Sequence, residues 1–276
     1  MDKINRRDML SLLGVALAGA AFMAGPGSLF AAEAQKRPFA LAQLPFSWIP
    51  KNLDQKDIGT TAYKGYDYKG YGCSFGVFYG IIGLMGEIYG KPYSDFPFTM
   101  MEVGKGGISN QGTICGALLG GASALSLFWG RKERDPMTEQ LFRLYETQTL
   151  PIYKPEGKSI YFEGDLPGTQ SDSVLCHISV GKWTYASGFS EKSEQRSERC
   201  ARITADVALK TWEIIQAKMD GTSVNWFEKS ASRKLCGECH DTGKESPILK
   251  GKMECSPCHS GAVGTQNKFK DHPSPN

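Results

Sequence analysis

Cys236-Gly237-Glu238-Cys239-His240 and Cys255-Ser256-Pro257-Cys258-His259 repeat the pattern C-x-x-C-H within 24 residues. They lie in a tail, residues 228–276, that has few aliphatic side chains and closes in turns at Pro273 and Pro275. Forty-nine such residues cannot bury a core unaided, so something else must supply it. The pattern itself names a supplier. Two sulfurs at this spacing reach the two vinyl groups of one haem as thioethers, and the adjacent His places a ring nitrogen on the iron. A four-cysteine zinc ribbon or two disulfides would use the same cysteines, but two complete motifs so close together favour two c-type haems.

The chain has four histidines. With His240 and His259 as proximal ligands, His177 and His272 remain for the two sixth positions. Bis-histidine ligation closes both irons and gives low-spin electron-transfer centres with no place for a substrate. Met253, just before the second motif, is the nearest methionine competitor, and one open haem is the alternative. His272 follows His259 by thirteen residues and could close a haem within the tail. His177 directly follows Cys176, so a haem that it ligates docks on the preceding domain. Either ligand could also come from a second copy of the chain.

At the other end, Asn5-Arg6-Arg7-Asp8 precedes an apolar run from Met9 to about Ala24, rich in Ala and Gly and shorter than a membrane span needs. Pro26 and the small-x-small pattern Ala32-Glu33-Ala34 follow, so residues 1–34 read as a twin-arginine signal peptide and the mature chain begins near Gln35. An uncleaved N-terminal anchor is the alternative. The expected location is the periplasm. No later segment has eighteen uninterrupted apolar residues, so no membrane span is expected in the mature chain. The net charge of +3 is small and the basic residues are scattered, which argues against a nucleic-acid partner.

Between signal and tail, residues 35–227 read as an all-α domain rich in Gly and Ala. Residues 35–68 show mixed turn chemistry and no clear element. From Gly72 the pattern turns helical, with Gly76, Gly80, Gly83 and Gly86 on one face and Lys91-Pro92 as the stop. Each such glycine costs up to about 1 kcal/mol against Ala, so the row implies that another backbone or a flat cofactor approaches closely. A second apolar helix is expected over 111–129, and a third from Met137 to Gln148 behind Asp135-Pro136. Residues 151–171 read as a loop with a possible short strand at 159–163. Asp172 is expected to open a helix through Cys176 to Ala186, stopped by Gly188. The longest helix should run from about Ser190 through Cys200 to Met219, ended by Asp220-Gly221.

Four cysteines in this domain, Cys73, Cys115, Cys176 and Cys200, stand 24 to 61 residues apart. Disulfides are the default in an oxidising compartment. Buried free thiols are a second possibility, and an iron–sulfur cluster held by four thiolates is a third. Local context favours the cluster. Glycines crowd around Cys115, which lies near a helix start where the dipole stabilises a thiolate. The export route agrees, because iron–sulfur clusters are built in the cytoplasm and need a folded cage before transport, whereas haem attachment outside gives no reason to fold first.

The spaced cysteines with GGISNQGTICGALLGG resemble the C-GCAxxG-C-C family, although Ile114 stands where the family label has Gly. The same arrangement followed by two C-x-x-C-H motifs resembles the split-Soret cytochromes c. That resemblance implies a homodimer with bis-histidine haems packed close together near the interface. It also implies a further iron centre of the [2Fe-2S] type, with Cys73, Cys115, Cys176 and Cys200 as its ligands. The expected function is electron transfer between partner proteins rather than enzyme catalysis, with Cys176-His177 bridging cluster and haem. Two alternatives are a redox enzyme using an open haem or the cluster as its substrate site, and a disulfide-stapled dihaem sensor without a cluster.

Overall fold

The computed structural model describes residues 48–241, 243–244 and 251–259, without the side chains of 257 and 258. The expected signal peptide, the closing turns and His272 lie outside the described residues. What is described is mostly helical. Two isolated antiparallel bridges, Ile114 with Leu175 and Leu150 with Thr169, are the β-type pairings found there.

The first helix corrects the reading of 35–68 as having no clear element, over its described part. α1, Gln55–Asp67, is started by Asp54, whose carboxylate accepts the N–H groups of Lys56 at 2.8 Å and Asp57 at 3.2 Å. Gly59 and Gly65, which read as turn residues, are contact residues instead. A Cβ on Gly65 would stand 2.9 Å from the Gly76 Cα in the next helix, so two backbones touch there.

That next helix is not continuous. α2, Gly72–Phe78, passes through a π turn at Tyr79–Gly83 into α3, Leu84–Tyr89, and Gly90 ends it at φ +71°. Gly76 and Gly80 lie against α1 at Ala62, so these two glycines admit a neighbouring helix, while a Cβ on Gly83 would meet the Tyr79 ring and one on Gly86 the Ser94 backbone. The 72–89 run is apolar and long enough to cross a membrane by length, yet most of it is buried inside this domain.

α4, Gly116–Phe128, and α5, Arg131–Thr147, follow. α5 starts six residues before the expected Met137 and carries Pro136 inside it. Pro136 is the sixth residue of the helix, so the bond that an N–H there would make to the Lys132 carbonyl is missing. α6 is Cys176–Ser187, closed by Gly188 in the left-handed region, and Asp172 sits at φ +51° in the approach to it rather than opening it. α7, Glu194–Met219, is capped by Ser193, whose hydroxyl accepts the Arg196 N–H.

α7 packs on α1, α2, α4 and α5 and forms the axis of the bundle. Around it Ile58, Phe78, Ile82, Leu118, Leu141 and Trp212 are buried. Residues 151–171 are irregular, including the possible strand at 159–163, and two buried acids of α7 satisfy their backbone. Asp206 accepts from the N–H groups of Ile152 at 2.9 Å and Tyr153 at 2.8 Å, and Glu198 accepts from that of Tyr161 at 3.1 Å.

Candidate metal centre and haem-attachment sites

Cys73, Cys115, Cys176 and Cys200 line one small cavity together with Tyr145, Val180, Arg199 and Ile203. Three of the four cysteines stand at helix starts. Cys73 is the second residue of α2, Cys115 is the N-cap of α4, and Cys176 is the first residue of α6. Cys200 projects from α7. Main-chain bonds fix the meeting of Cys115 and Cys176. The Cys115 N–H donates to the Val174 carbonyl at 2.8 Å, and the Cys176 N–H donates to the Thr113 carbonyl at 2.7 Å.

Close packing is needed for this. A Cβ on Gly116 would collide with the Gly104 carbonyl oxygen, so only glycine lets α4 begin where Cys115 enters the cavity. None of the four cysteines is in a disulfide. Among the described residues no three His, Cys, Asp or Glu side chains converge closely enough for a single metal ion. Four thiols spaced around a cavity suit a centre of several atoms, and an all-cysteine donor set is what iron–sulfur clusters use.

Burial governs the protonation of these thiols. It pushes Cys73 well above the ordinary thiol range, and the neighbouring Cys200, Cys115 and Cys176 add to the rise. Burial also raises Cys115, against bonds from Tyr145 and from the Ala117 and Leu118 N–H groups that favour the thiolate. The helix start therefore assists ionisation at Cys115 without overcoming desolvation. Cys176 is pushed up to about 12, chiefly by burial, while Arg199 and Arg196 act in the opposite direction. A metal centre must displace these protons to bind.

Arg199, buried, and Tyr145 are site residues that the sequence reading missed. The Arg199 guanidinium donates to the Ser179 hydroxyl at 2.9 Å and lies 5.5 Å from the Trp183 ring centre, while its Nε has no partner. The signal available in the sequence was the adjacency of Arg199 to Cys200, a cation beside a thiolate candidate.

His177 follows Cys176 on α6 and is exposed. Its Nδ1 stands 2.8 Å from the Gly112 carbonyl oxygen. A carbonyl only accepts, so Nδ1 carries the proton and Nε2 keeps the lone pair that a metal needs.

The first C-x-x-C-H motif lies on α8, Ala231–His240, with Cys236 and His240 one turn apart. The second ends in a short helical turn, Ser256–His259, where Cys258 is described only by its backbone. The two motifs are neighbours. Cys255 is raised first by burial and then by the nearby Cys236 thiol, and the buried Arg233 donates to the Gly251 carbonyl at 3.1 Å, tying α8 to the chain before the second motif. No disulfide engages Cys236, Cys239 or Cys255. Both helix-borne thiols and the histidine after them suit thioether attachment and proximal ligation.

The tail is fastened to α5. Gln140 accepts the Trp226 N–H at 2.8 Å and donates to the Phe227 carbonyl at 3.2 Å. Arg143 donates to Glu146 at 2.8 Å and to Glu254 at 3.1 Å, the latter just before Cys255.

Residues 71–214 match the family model described as "Putative redox-active protein (C_GCAxxG_C_C)", a span that holds all four cavity cysteines and neither haem motif. Split-Soret cytochrome c of Desulfovibrio desulfuricans is 52% identical over 278 residues, covering 98% of this chain and 99% of that protein. The chain belongs to the split-Soret cytochrome c family. The solved split-Soret cytochrome c of D. desulfuricans superposes with a TM-score of 0.77 at 55% identity, over 83% of this chain and 96% of that one. That structure is described as containing a novel iron centre. The all-α architecture is thus the split-Soret cytochrome fold.

Proposed function

We propose that this chain is a periplasmic electron-transfer protein carrying two covalent c-type haems and one [2Fe-2S]-type cluster. The observation that carries this reading is the convergence of Cys73, Cys115, Cys176 and Cys200, from four separate elements, on one cavity in a chain that also holds two adjacent C-x-x-C-H motifs. The iron centre of the solved relative supports it. Bound there, an iron–sulfur centre would supply one-electron chemistry, and covalent haems would supply the same in the tail.

The chain's own residues have definite parts in this reading. The four thiolates hold the cluster. Arg199 and Arg196 offset the negative charge that four thiolates bring into a buried site. Cys236 and Cys239 anchor one haem with His240 on its iron, and Cys255 and Cys258 anchor the other with His259. His177 and His272 take the sixth positions, so that both haems are closed and no substrate coordinates. The exposure of His177 and its Nδ1 bond to Gly112 support that role for a haem approaching α6 from outside. A homodimer places the haems near the subunit interface, with redox proteins as partners and no enzymatic turnover.

Iron, acid-labile sulfide and haem per chain test the reading directly. About four irons, two sulfides and two haems are expected; about two irons without sulfide would replace the cluster by free thiols or disulfides. The reduced protein should leave carbon monoxide unbound, and binding would demand an open haem and favour a redox enzyme.

A further inference from the structure

Inside the split-Soret fold, one residue pair spans the space between the two kinds of cofactor site. Tyr145 and Glu146 are consecutive on α5, and both are buried. The Tyr145 ring lines the cysteine cavity, its hydroxyl bonded to the Ser179 hydroxyl at 2.8 Å and interacting with the Cys115 thiol. Glu146 accepts the Glu254 N–H at 3.0 Å, and Cys255 is the next residue along. From the cavity wall to the thioether cysteine the path is covalent except for that one hydrogen bond.

We propose that Tyr145, Glu146 and Glu254 form the electron bridge between the cysteine cavity and the haem attached at Cys255. This rests on the function proposed above. Electronic coupling decays less steeply along covalent and hydrogen bonds than across a gap, which favours a bonded route over a through-space one. Cys176-His177, the bridge expected from sequence, leads to an exposed side chain, whereas this route runs from buried Tyr145 and Glu146 to half-buried Glu254 and Cys255. Arg143 is its positioning residue. It holds both carboxylates, at 2.8 and 3.1 Å, and the Ser230 hydroxyl donates to the same Glu254 oxygen at 2.6 Å. One electron crosses per event, so that iron at one end is oxidised as iron at the other is reduced. No bond is made or broken, and no proton moves, because Glu146 stays paired with Arg143 throughout.

The test uses the holoprotein of wild type, Glu146→Ala, Glu146→Gln and Tyr145→Leu, each first assayed for iron, labile sulfide and haem. Flash reduction with a deazaflavin starts electron equilibration, followed by haem absorbance and by the electron spin resonance of the cluster. Hydrogen exchange of the Glu254 amide reports the bond itself. Glu146→Ala should expose that amide to exchange and slow equilibration by an order of magnitude. Glu146→Gln, which keeps an acceptor oxygen, should restore both. Tyr145→Leu, which leaves the ion pairs intact, should slow equilibration while the amide stays protected. Unchanged rates in Glu146→Ala and Tyr145→Leu proteins with full cofactors would overturn the bridge. A slow Glu146→Gln protein with a protected amide would overturn it too, by showing that charge rather than the bond matters. Wild type without labile sulfide would remove the cluster reading, and the bridge with it.

Discussion

The cysteine cavity and the C-terminal haem segment arrive at cofactor chemistry from opposite directions. The cavity draws its sulfurs from widely separated positions, and its geometry belongs to the fold: helix starts, glycine contacts and main-chain bonds hold Cys73, Cys115, Cys176 and Cys200 in place. The C-terminal segment carries each C-x-x-C-H motif within five consecutive residues, in a stretch with few aliphatic side chains. One site is made by packing and the other by local sequence. A site of the first kind exists before its cofactor, while a segment of the second kind depends on its cofactor and on a few anchors for order.

The largest test of that contrast removes the haems altogether. Replacing Cys236, Cys239, Cys255 and Cys258 by Ala should abolish haem attachment and make the tail protease-sensitive, while α1 to α7 still melt cooperatively and the iron and labile sulfide remain. Collapse of the bundle as well would show that the two regions are one folding unit. Next in size is the anchor between them. Arg143→Met leaves two largely buried carboxylates facing each other without their cation. The expected loss is about 3–5 kcal/mol in a denaturant titration, with cleavage appearing first in the tail. A loss under about 1 kcal/mol would mean that Glu146 and Glu254 find other partners.

A third test stays inside the bundle. Burial raises Asp206 to about 6, against its two backbone N–H bonds, so its folded value lies above the unfolded one near 3.9. The folded state then holds the proton more tightly between those values. Its contribution is fully present below about pH 4 and is lost as pH rises through about 6, an effect of order 3 kcal/mol. Asp206→Asn should flatten that part of the stability–pH curve, and an unchanged slope would point to another group. The smallest expected effect is Gly116→Ala, at about 1–3 kcal/mol, because the added methyl meets the Gly104 carbonyl and α4 must shift. Its readout is specific, since the shift moves Cys115: cluster content should fall while haem content stays constant.

How much of this was legible in the sequence follows the same division. The C-x-x-C-H motifs can be read because ligand spacing and chain spacing coincide. The four spaced cysteines could be nominated from composition, export signal and family likeness, but only packing brings them to one cavity. Helices α4, α6 and α7 were legible from apolar periodicity and their stops, with ends displaced by a few residues. α1 was hidden because Gly59 and Gly65 imitate turns; Gly65 is a glycine for the sake of the neighbouring α2 and Gly59 for the Tyr153 ring, causes that lie outside the local sequence. The early start of α5 escaped notice because Asp135-Pro136 resembles a beginning, although Gly130 caps the helix a turn and a half before it. Arg143 and Glu146 showed only an ordinary i,i+3 ion pair, since the contacts that give them a role reach Glu254, more than a hundred residues onward, and Tyr145 meets its partner Ser179 across the cavity.

The bridge of Ile114 to Leu175 and its flanking main-chain bonds bear on repair. Those bonds join amides to carbonyls and involve no sulfur, so oxidative loss of the metal leaves them untouched. Cys115 and Cys176 would stay side by side in the stripped protein, like the jaws of a mould after the casting is removed. Rebuilding from ferrous iron and sulfide in a reducing buffer should then need no denaturant, and should proceed at the speed of assembly rather than of refolding.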